Sequence, residues 1–188
     1  MNAASPTTVS FEEYLELEAK SDDVKHEWCD GVVYAMSRGT PEHGRLTAAL
    51  IGTLRNALKG KCDTYASDTM LYVEAARLST YADASVVCGP LETKKVVKNG
   101  RSLGEAVTNP TVIVEVLSEA TERYDRDGKF QAYKKLVSLR EYVLVSQEER
   151  CIEVYRRDES GRWSVDVGKA GGRVEVHGAT IAVDDVYG

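Results

Sequence analysis

The amino-acid sequence predicts an α/β protein, and three patterns support this fold class. The segment 111–117 (Thr-Val-Ile-Val-Glu-Val-Leu) is apolar on both faces apart from one glutamate, as expected of a central strand. A helical pattern over 121–137 and a strand-like segment over 141–145 follow it, and this order indicates a β-α-β crossover. Leucines that recur at three- and four-residue steps between Pro41 and Lys59 predict a long amphipathic helix.

Capping signals mark the starts of the first two predicted helices. Ser10-Phe11-Glu12-Glu13 has the form of a capping box, in which Ser10 and Glu13 each accept a hydrogen bond from an otherwise free backbone N–H, so a helix is predicted over about 10–19. Thr40-Pro41 supplies an N-cap and the proline that suits the first helical position. Gly60 predicts the end of this second helix.

The other segments are typical of strands and turns. Asp30-Gly31 predicts a type I′ hairpin turn, because both central residues of that turn need positive φ. The predicted strands outside the crossover are 27–29 and 32–36 around this turn, 62–73, 83–88, and the pair 151–156 and 163–167 joined at Gly161. Segment 91–109 is polar and basic, and we predict a loop there.

Length and composition fit one domain over residues 1–188. The chain has 188 residues, of which 43% are hydrophobic and 29% are charged. No apolar run approaches the roughly 18 residues that cross a bilayer, and Met1–Ser10 lacks the basic and apolar regions of a secretory signal. We therefore expect a cytoplasmic protein with no membrane partner.

The four cysteines, Cys29, Cys62, Cys88 and Cys151, are widely spaced along the chain. No pair has the spacing of a zinc site or of a C-x-x-C redox motif. The sequence therefore predicts reduced thiols that pack as small hydrophobic side chains, and no structural zinc.

The net charge of −6 argues against a protein that coats nucleic acid without specificity. The charge is uneven: segment 10–30 is strongly acidic, whereas 94–101 and 123–140 are basic. An acidic protein can still bind a phosphodiester if basic residues surround the site and a cation lies inside it.

Two carboxylates stand out against their apolar surroundings. Glu115 interrupts the central strand, where an unpaired buried carboxylate would cost several kcal/mol. Asp83 precedes the apolar run 84–88 in a similar way. On neighbouring strands these two side chains could present hard oxygen ligands to Mg²⁺ or Mn²⁺. Each carboxylate also has a purely structural interpretation. Glu115 could lie at a strand end, where it meets solvent or pairs with an arginine. Asp83 could cap a turn at the entry to its strand.

Three further residues have both a functional and a purely structural interpretation. Lys129 could extend towards the end of the Glu115 strand, or it could be a surface lysine paired with Asp125 one turn earlier. His43 heads the leucine stripe and should point towards the sheet, as a site residue or as a packed histidine. Glu27 is either a ligand or an exposed strand residue.

The order of several short segments resembles the Uma-type restriction-endonuclease family, which has the PD-(D/E)XK nuclease fold. The resemblance covers about 10–157 and depends on the order and spacing of the segments. They are Lys25-His26-Glu27 with Asp30-Gly31, Pro41-Glu42-His43, Tyr81-Ala82-Asp83-Ala84-Ser85-Val86-Val87, Val114-Glu115-Val116-Leu117-Ser118, Asp125 through Lys129 to Tyr133, and Leu139-Arg140-Glu141-Tyr142-Val143-Leu144-Val145.

The resemblance implies a restriction-endonuclease-like fold: a mixed central sheet flanked by helices, with an N-terminal helix and hairpin and C-terminal strands. It makes Asp83 and Glu115 the metal ligands. Leu117 occupies the position where this fold usually has its lysine, and Ala82 replaces the proline before the aspartate. The resemblance therefore assigns the lysine role to Lys129 on the following helix.

Glu27 resembles the additional acidic residue that lies near the metal site in this family. His43 resembles another residue that neighbours the site. The implied function is Mg²⁺- or Mn²⁺-dependent hydrolysis of DNA phosphodiester bonds. Cutting both strands of a duplex requires two sites, which suggests a homodimer. The missing lysine at position 117 and the acidic net charge leave an alternative: a catalytically inactive module that binds nucleic acid or a protein partner. A hydrolase of small phosphate esters is a third hypothesis.

Overall fold

The computed structural model describes residues 8–188 of the chain. Its helices are α1 (Phe11–Glu18), α2 (Pro41–Ala57), α3 (Glu122–Tyr124), α4 (Phe130–Tyr133) and α5 (Val183–Tyr187), with a 3₁₀ turn at Glu74–Ala76 and a π-helical turn at Asp125–Lys129 between α3 and α4. Its strands are β1 (His26–Cys29), β2 (Val32–Ala35), β3 (Asp63–Ala66), β4 (Met70–Val73), β5 (Leu78–Tyr81), β6 (Ala84–Val87), β7 (Thr93–Lys98), β8 (Arg101–Val107), β9 (Val112–Val116), β10 (Glu141–Val145), β11 (Cys151–Arg157), β12 (Trp163–Lys169), β13 (Arg173–Val176) and β14 (Ala179–Ala182).

The central sheet contains six strands in the order β12-β11-β10-β9-β6-β3. Strands β9 and β10 are parallel and are joined by the helical segment, which confirms the predicted β-α-β crossover. The other neighbours in this sheet are antiparallel, so the sheet is mixed, as predicted.

A second sheet of six strands, the side sheet, has the order β2-β1-β5-β4-β8-β7. The chain passes from the side sheet to the central sheet between β5 and β6, through Ala82 and Asp83 alone. Strands β13 and β14 form a small hairpin of their own. The sequence predicted the β1–β2 hairpin but not the size of the sheet that it joins.

The apolar core lies on both faces of the central sheet. The leucine stripe of α2 packs with α5 and the β13–β14 hairpin against the side chains of Val112, Val114 and Val116. The other face carries Ile113 and Leu117, which pack with α4 and part of the side sheet. Helix α1 covers the side sheet, with Tyr14 and Leu15 buried. No helix among residues 8–188 has the length and apolar character needed to cross a membrane.

The local signals at the N-terminal half are confirmed. Ser10 and Glu13 form both hydrogen bonds of a capping box. Asp30 and Gly31 have φ of 46° and 92° in the turn between β1 and β2. The side chain of Thr40 accepts a hydrogen bond from the His43 N–H at the start of α2.

Two elements differ from the sequence prediction. Segment 91–109 is not a loop, because β7 and β8 form an antiparallel hairpin at the edge of the side sheet. Most of β7 is exposed on both faces, so the segment has no hydrophobic alternation that would indicate a strand. The helix predicted over 121–137 ends at Tyr133 and contains the π-helical turn.

The prediction of four reduced cysteines is wrong for two of them. Cys62 and Cys88 form a disulfide, whereas Cys29 and Cys151 are free. Asp63 pairs with Val87 in the antiparallel register of β3 and β6, so Cys62 and Cys88 are the next residues to face each other. A separation of 26 residues gave no sign of this neighbourhood in the sequence.

Candidate active site

The register of β6 and β9 places the two predicted metal ligands opposite each other. Ala84 pairs with Val114 in this antiparallel ladder, and one further residue brings Asp83 opposite Glu115. Directly opposed residues share one face of a sheet, with Cβ atoms typically about 4.5–5.5 Å apart. The two carboxylates therefore lie side by side at the end of the ladder.

Backbone and side-chain donors fix the orientation of Asp83. Its Oδ2 accepts a hydrogen bond of 2.7 Å from the backbone N–H of Val116 on β9. The same oxygen lies 3.1 Å from Nε2 of His43, which reaches it from the first turn of α2. The hydrogen bond to Asp83 raises the pKa of His43, against the opposing effect of burial. The other oxygen of Asp83, Oδ1, forms no hydrogen bond with residues 8–188.

Glu115 is buried, with 4% of its surface exposed, and it is held by two donors. Both Nζ of Lys129 and the hydroxyl of Tyr133 lie 3.0 Å from its Oε1. Lys129 is itself only 6% exposed. The prediction that Lys129 reaches the end of the Glu115 strand is confirmed by this contact. The alternative is wrong about a surface location, although Lys129 does form an ion pair with Asp125.

The charges around Glu115 do not balance within the site. Burial raises the pKa of Glu115 to about 8, Lys129 opposes the rise, and Asp83 and Asp125 add to it. Burial alone would lower the pKa of Lys129, but the carboxylates of Glu115 and Asp125 reverse that effect and raise it. The single ammonium of Lys129 thus faces three carboxyl groups, and it does not offset the effect of burial on Glu115.

Asp125 is a third carboxylate of the site that the sequence did not single out. It is 3% exposed, and its Oδ1 lies 3.4 Å from Nζ of Lys129 without forming a hydrogen bond. Burial raises the pKa of this group, and Lys129 opposes the rise. Asp125 and Lys129 are the two ends of the π-helical turn, a type of turn that is frequent at functional sites.

Glu27 enters the site from strand β1 of the side sheet. The residue is buried, its Oε2 accepts a hydrogen bond of 2.5 Å from the Thr80 hydroxyl, and its Oε1 accepts one from Tyr124. The Tyr124 ring lies against Gly128, where an added Cβ would come within 2.6 Å of two ring carbons. Gly128 thus makes the room that Tyr124 needs to reach Glu27.

All five predicted site residues line one cavity of about 1010 Å³. They are Glu27, His43, Asp83, Glu115 and Lys129. Asp125, Tyr124, Tyr34 and Arg38 also contribute to its wall, and none of these four was predicted. For Asp125 the signal was its four-residue spacing from Lys129, which the sequence could not distinguish from an exposed helical pair.

The donor set fits a hard divalent cation. Asp83 and Glu115 each have one oxygen engaged by protein donors, and a buried oxygen of Asp125 has no hydrogen-bond partner. Within residues 8–188, the groups of three ligand atoms that lie within 4.8 Å of one another include none from this cavity. A cation here would therefore take few protein ligands and keep several water or phosphate oxygens, as Mg²⁺ does in phosphoryl-transfer sites.

Comparisons with known proteins give the family and the fold of this chain. Residues 11–181 match the family described as "Uma2: Putative restriction endonuclease". Uncharacterized protein slr1290 of Synechocystis sp. is 34% identical over 194 residues, which cover 100% of this chain and 97% of the relative. Uncharacterized protein sll1609 of the same organism is 28% identical over 164 residues, 87% of this chain and 89% of the relative.

A solved structure shares the fold. It is described as a putative nuclease belonging to DUF820 from Anabaena variabilis, and it superposes with a TM-score of 0.68 over 86% of this chain and 89% of its own. Its 16% sequence identity makes it similar in fold alone. The restriction-endonuclease-like fold class predicted from the sequence is confirmed. By its match over residues 11–181, this chain belongs to the Uma2 family.

Proposed function

We propose that this protein is a metal-dependent endonuclease that hydrolyses phosphodiester bonds of DNA. The observation that carries the proposal is the pairing of Asp83 with Glu115 across β6 and β9, with Nζ of Lys129 3.0 Å from Glu115. Family membership supports a nuclease activity. The cavity that Glu27, Asp83, Glu115 and Asp125 line, here called the acidic cavity, supports the binding of a divalent cation.

Asp83 and Glu115 would hold Mg²⁺ or Mn²⁺, which lowers the pKa of a bound water and offsets the charge that develops on the phosphate. The Val116 N–H and His43 keep Asp83 in a fixed orientation. Lys129 lies at the same carboxylate, so its ammonium can orient the attacking water and stabilise the anionic transition state. Tyr133 donates a hydrogen bond to the same Glu115 oxygen and helps to fix its position.

The decisive experiment compares purified variants on supercoiled plasmid DNA with Mg²⁺, with Mn²⁺ and with EDTA. We expect nicked or linear DNA only when the cation is present. Asp83→Asn, Glu115→Gln and Lys129→Met should each abolish cleavage, because each keeps the size of the side chain and removes its charge. Cleavage that survives both carboxylate substitutions would falsify the assignment.

Matched controls come from exposed residues outside the cavity. Asp166→Asn, Glu159→Gln and Lys169→Met make the same chemical changes on the surface. These three variants should cut DNA at the rate of the unmodified protein. Equal losses in the two sets would point to a general effect of charge or folding.

The alternative proposal is a module that binds nucleic acid or a protein partner without catalysis. It predicts no metal-stimulated cleavage of DNA or RNA, together with salt-sensitive binding that persists in Asp83→Asn. Hydrolysis of a small aryl phosphodiester without cleavage of DNA would instead favour a small phosphate ester as substrate. The position of Lys129 beside Glu115 supports catalysis over a module that only binds.

We further propose a cytoplasmic protein that acts as a homodimer on duplex DNA. A monomer has one site, and two sites are needed to cut both strands. Sedimentation in the presence of a duplex oligonucleotide would measure the stoichiometry, and a complex with one protein chain per duplex would contradict the dimer.

A further inference from the structure

We propose that Cys62, Cys88 and His177 form a second metal site, which binds Zn²⁺ when the disulfide is reduced. The site is independent of the acidic cavity and of the proposed nuclease function. It occupies the other end of strand β6 from Asp83, roughly 16 Å away at the usual rise per residue of a strand.

Three distant segments converge on this site. Cys62 precedes β3, Cys88 follows β6, and His177 lies in the turn between β13 and β14. One ligand atom from each lies within 4.8 Å of the other two, and all three residues are partly buried. Both cysteines pack against the core cluster to which β13 and β14 contribute. The C-terminal hairpin therefore contributes the imidazole to the cysteine pair.

The backbone of His177 is held in an uncommon conformation by the central sheet. Its φ of 49° lies in the left-handed region, which few residues other than glycine adopt. Its N–H donates a hydrogen bond of 2.7 Å to Oε2 of Glu141, a buried carboxylate that Arg156 also contacts. The position of the histidine is thus fixed by β10 and β11, independently of the two cysteines.

The ligand chemistry selects zinc rather than magnesium. Two thiolates and one imidazole are soft or borderline donors, whereas Mg²⁺ and Mn²⁺ prefer oxygen. Zn–S distances of about 2.3 Å in a tetrahedron place two sulfurs roughly 3.8 Å apart. The sulfurs are bonded to each other in the oxidised form, so reduction and a small side-chain rotation are needed. A fourth position would remain for water.

The opening of the site is a two-electron reduction. A dithiol supplies the disulfide with two electrons and two protons and itself becomes a disulfide; a phosphine supplies the two electrons and becomes its oxide, while water supplies the two protons and the oxygen. Either reaction gives two thiols. Binding of Zn²⁺ then releases both thiol protons as the thiolates coordinate the ion.

The test is a titration of the full chain with Co²⁺, which reports thiolate ligation by colour. Protein reduced with a phosphine should bind one equivalent of Co²⁺ with a thiolate charge-transfer band and tetrahedral d–d bands, and Zn²⁺ should displace it. The oxidised protein should show neither band. Cys62→Ser and Cys88→Ser should lose the charge-transfer band, and His177→Asn should weaken binding by at least about tenfold.

The controls separate this site from other cobalt-binding groups. Cys29→Ser and Cys151→Ser remove the two free thiols and should leave the titration unchanged. Asn tolerates the left-handed conformation, so His177→Asn keeps the turn and both thiols intact. Reduced protein that binds no Co²⁺, or a band that survives Cys62→Ser or vanishes in Asp83→Asn with Glu115→Gln, would overturn the proposal. Cleavage of DNA by the Cys62→Ser variant would leave the nuclease proposal standing in any case.

Discussion

Single atoms determine what the acidic cavity can bind. Lys129 and Tyr133 both donate to the same oxygen of Glu115, and His43 and the Val116 N–H both meet the same oxygen of Asp83. Each carboxylate therefore has one oxygen fixed by the protein and another to offer. Two fixed carboxylates that each present one oxygen are suited to one cation with an otherwise water-filled coordination sphere.

Asp125 allows a prediction at this scale. Asp125→Asn should lower metal-dependent DNA cleavage by roughly tenfold or more, because Lys129 loses its second carboxylate and the cavity loses a negative charge. Its stability should not fall, since an amide is less costly to bury than a carboxylate with an oxygen that accepts no hydrogen bond. Plasmid cleavage and urea unfolding measure the two effects.

Asp127→Asn is the matched control, because Asp127 lies in the same π-helical turn but is exposed. It should match the unmodified protein in both measurements. If the two variants cut DNA equally well, Asp125 has no part in the reaction.

Asp125 shows which part of the site the sequence could not predict. Asp83, Glu115, Lys129, His43 and Glu27 could be selected because they interrupt apolar patterns or match a family segment. Asp125 and Lys129 have the spacing of an ordinary surface pair, and both are buried only because the helix carrying them packs against Glu115. Burial of that kind depends on tertiary contacts that no local pattern records.

At the scale of elements, the π-helical turn is the least regular part of the site. It joins α3 to α4, places both Asp125 and Lys129 inside the protein, and brings Tyr124 over Gly128. A glycine in a helix normally costs about 1 kcal/mol relative to alanine. Here that cost is offset by the space that the Tyr124 ring occupies.

The substitution Gly128→Ala tests whether the Tyr124 ring needs the space that Gly128 leaves. The added Cβ would lie 2.6 Å from two carbons of the Tyr124 ring, so the ring must move away from Glu27. We expect a net loss of about 1–3 kcal/mol in the free energy of unfolding, as for other overpacked sites. Gly52→Ala in α2 is the control, because its Cβ meets nothing within 4 Å, and it should stabilise the protein by about 0.5–1 kcal/mol. Equal stabilisation by both changes would contradict the close packing.

Elements with strong local signals were the ones predicted correctly. Helix α2 and the β1–β2 turn carry a cap, a periodic stripe or an Asp-Gly pair in their own residues. The β7–β8 hairpin also has a turn signal, Asn99-Gly100, with φ of 50° and 77°. Strand β7 beside this turn is rich in lysine and mostly exposed, so no apolar pattern marks it as a strand in the sequence. The Cys62–Cys88 pair depends on the register of β3 with β6, which only the folded sheet defines.

At the scale of the whole molecule, the acidic cavity draws on both large sheets. Glu27 comes from the side sheet, Glu115 from the central sheet, Lys129 from the helical segment and His43 from α2. A cation bound there would connect elements that are far apart in sequence. Its binding free energy should therefore appear as stability of the entire fold.

Mn²⁺ should raise the melting temperature of the metal-free protein. At a concentration of about 100 times Kd, the expected gain is about 2.7 kcal/mol in the free energy of unfolding. EDTA should reverse the shift, and Asp83→Asn should reduce it strongly. Differential scanning calorimetry measures all three, and an equal shift in Asp83→Asn would place the ion elsewhere.

The two-residue connection between β5 and β6 has a mechanical consequence. Because Asp83 lies in that connection, a cation held by Asp83 and Glu115 would tie the connection to strand β9 of the central sheet. Movement of the connection away from β9 would pull a ligand off the ion. Loss of the ion and loosening of this connection would then be one and the same event.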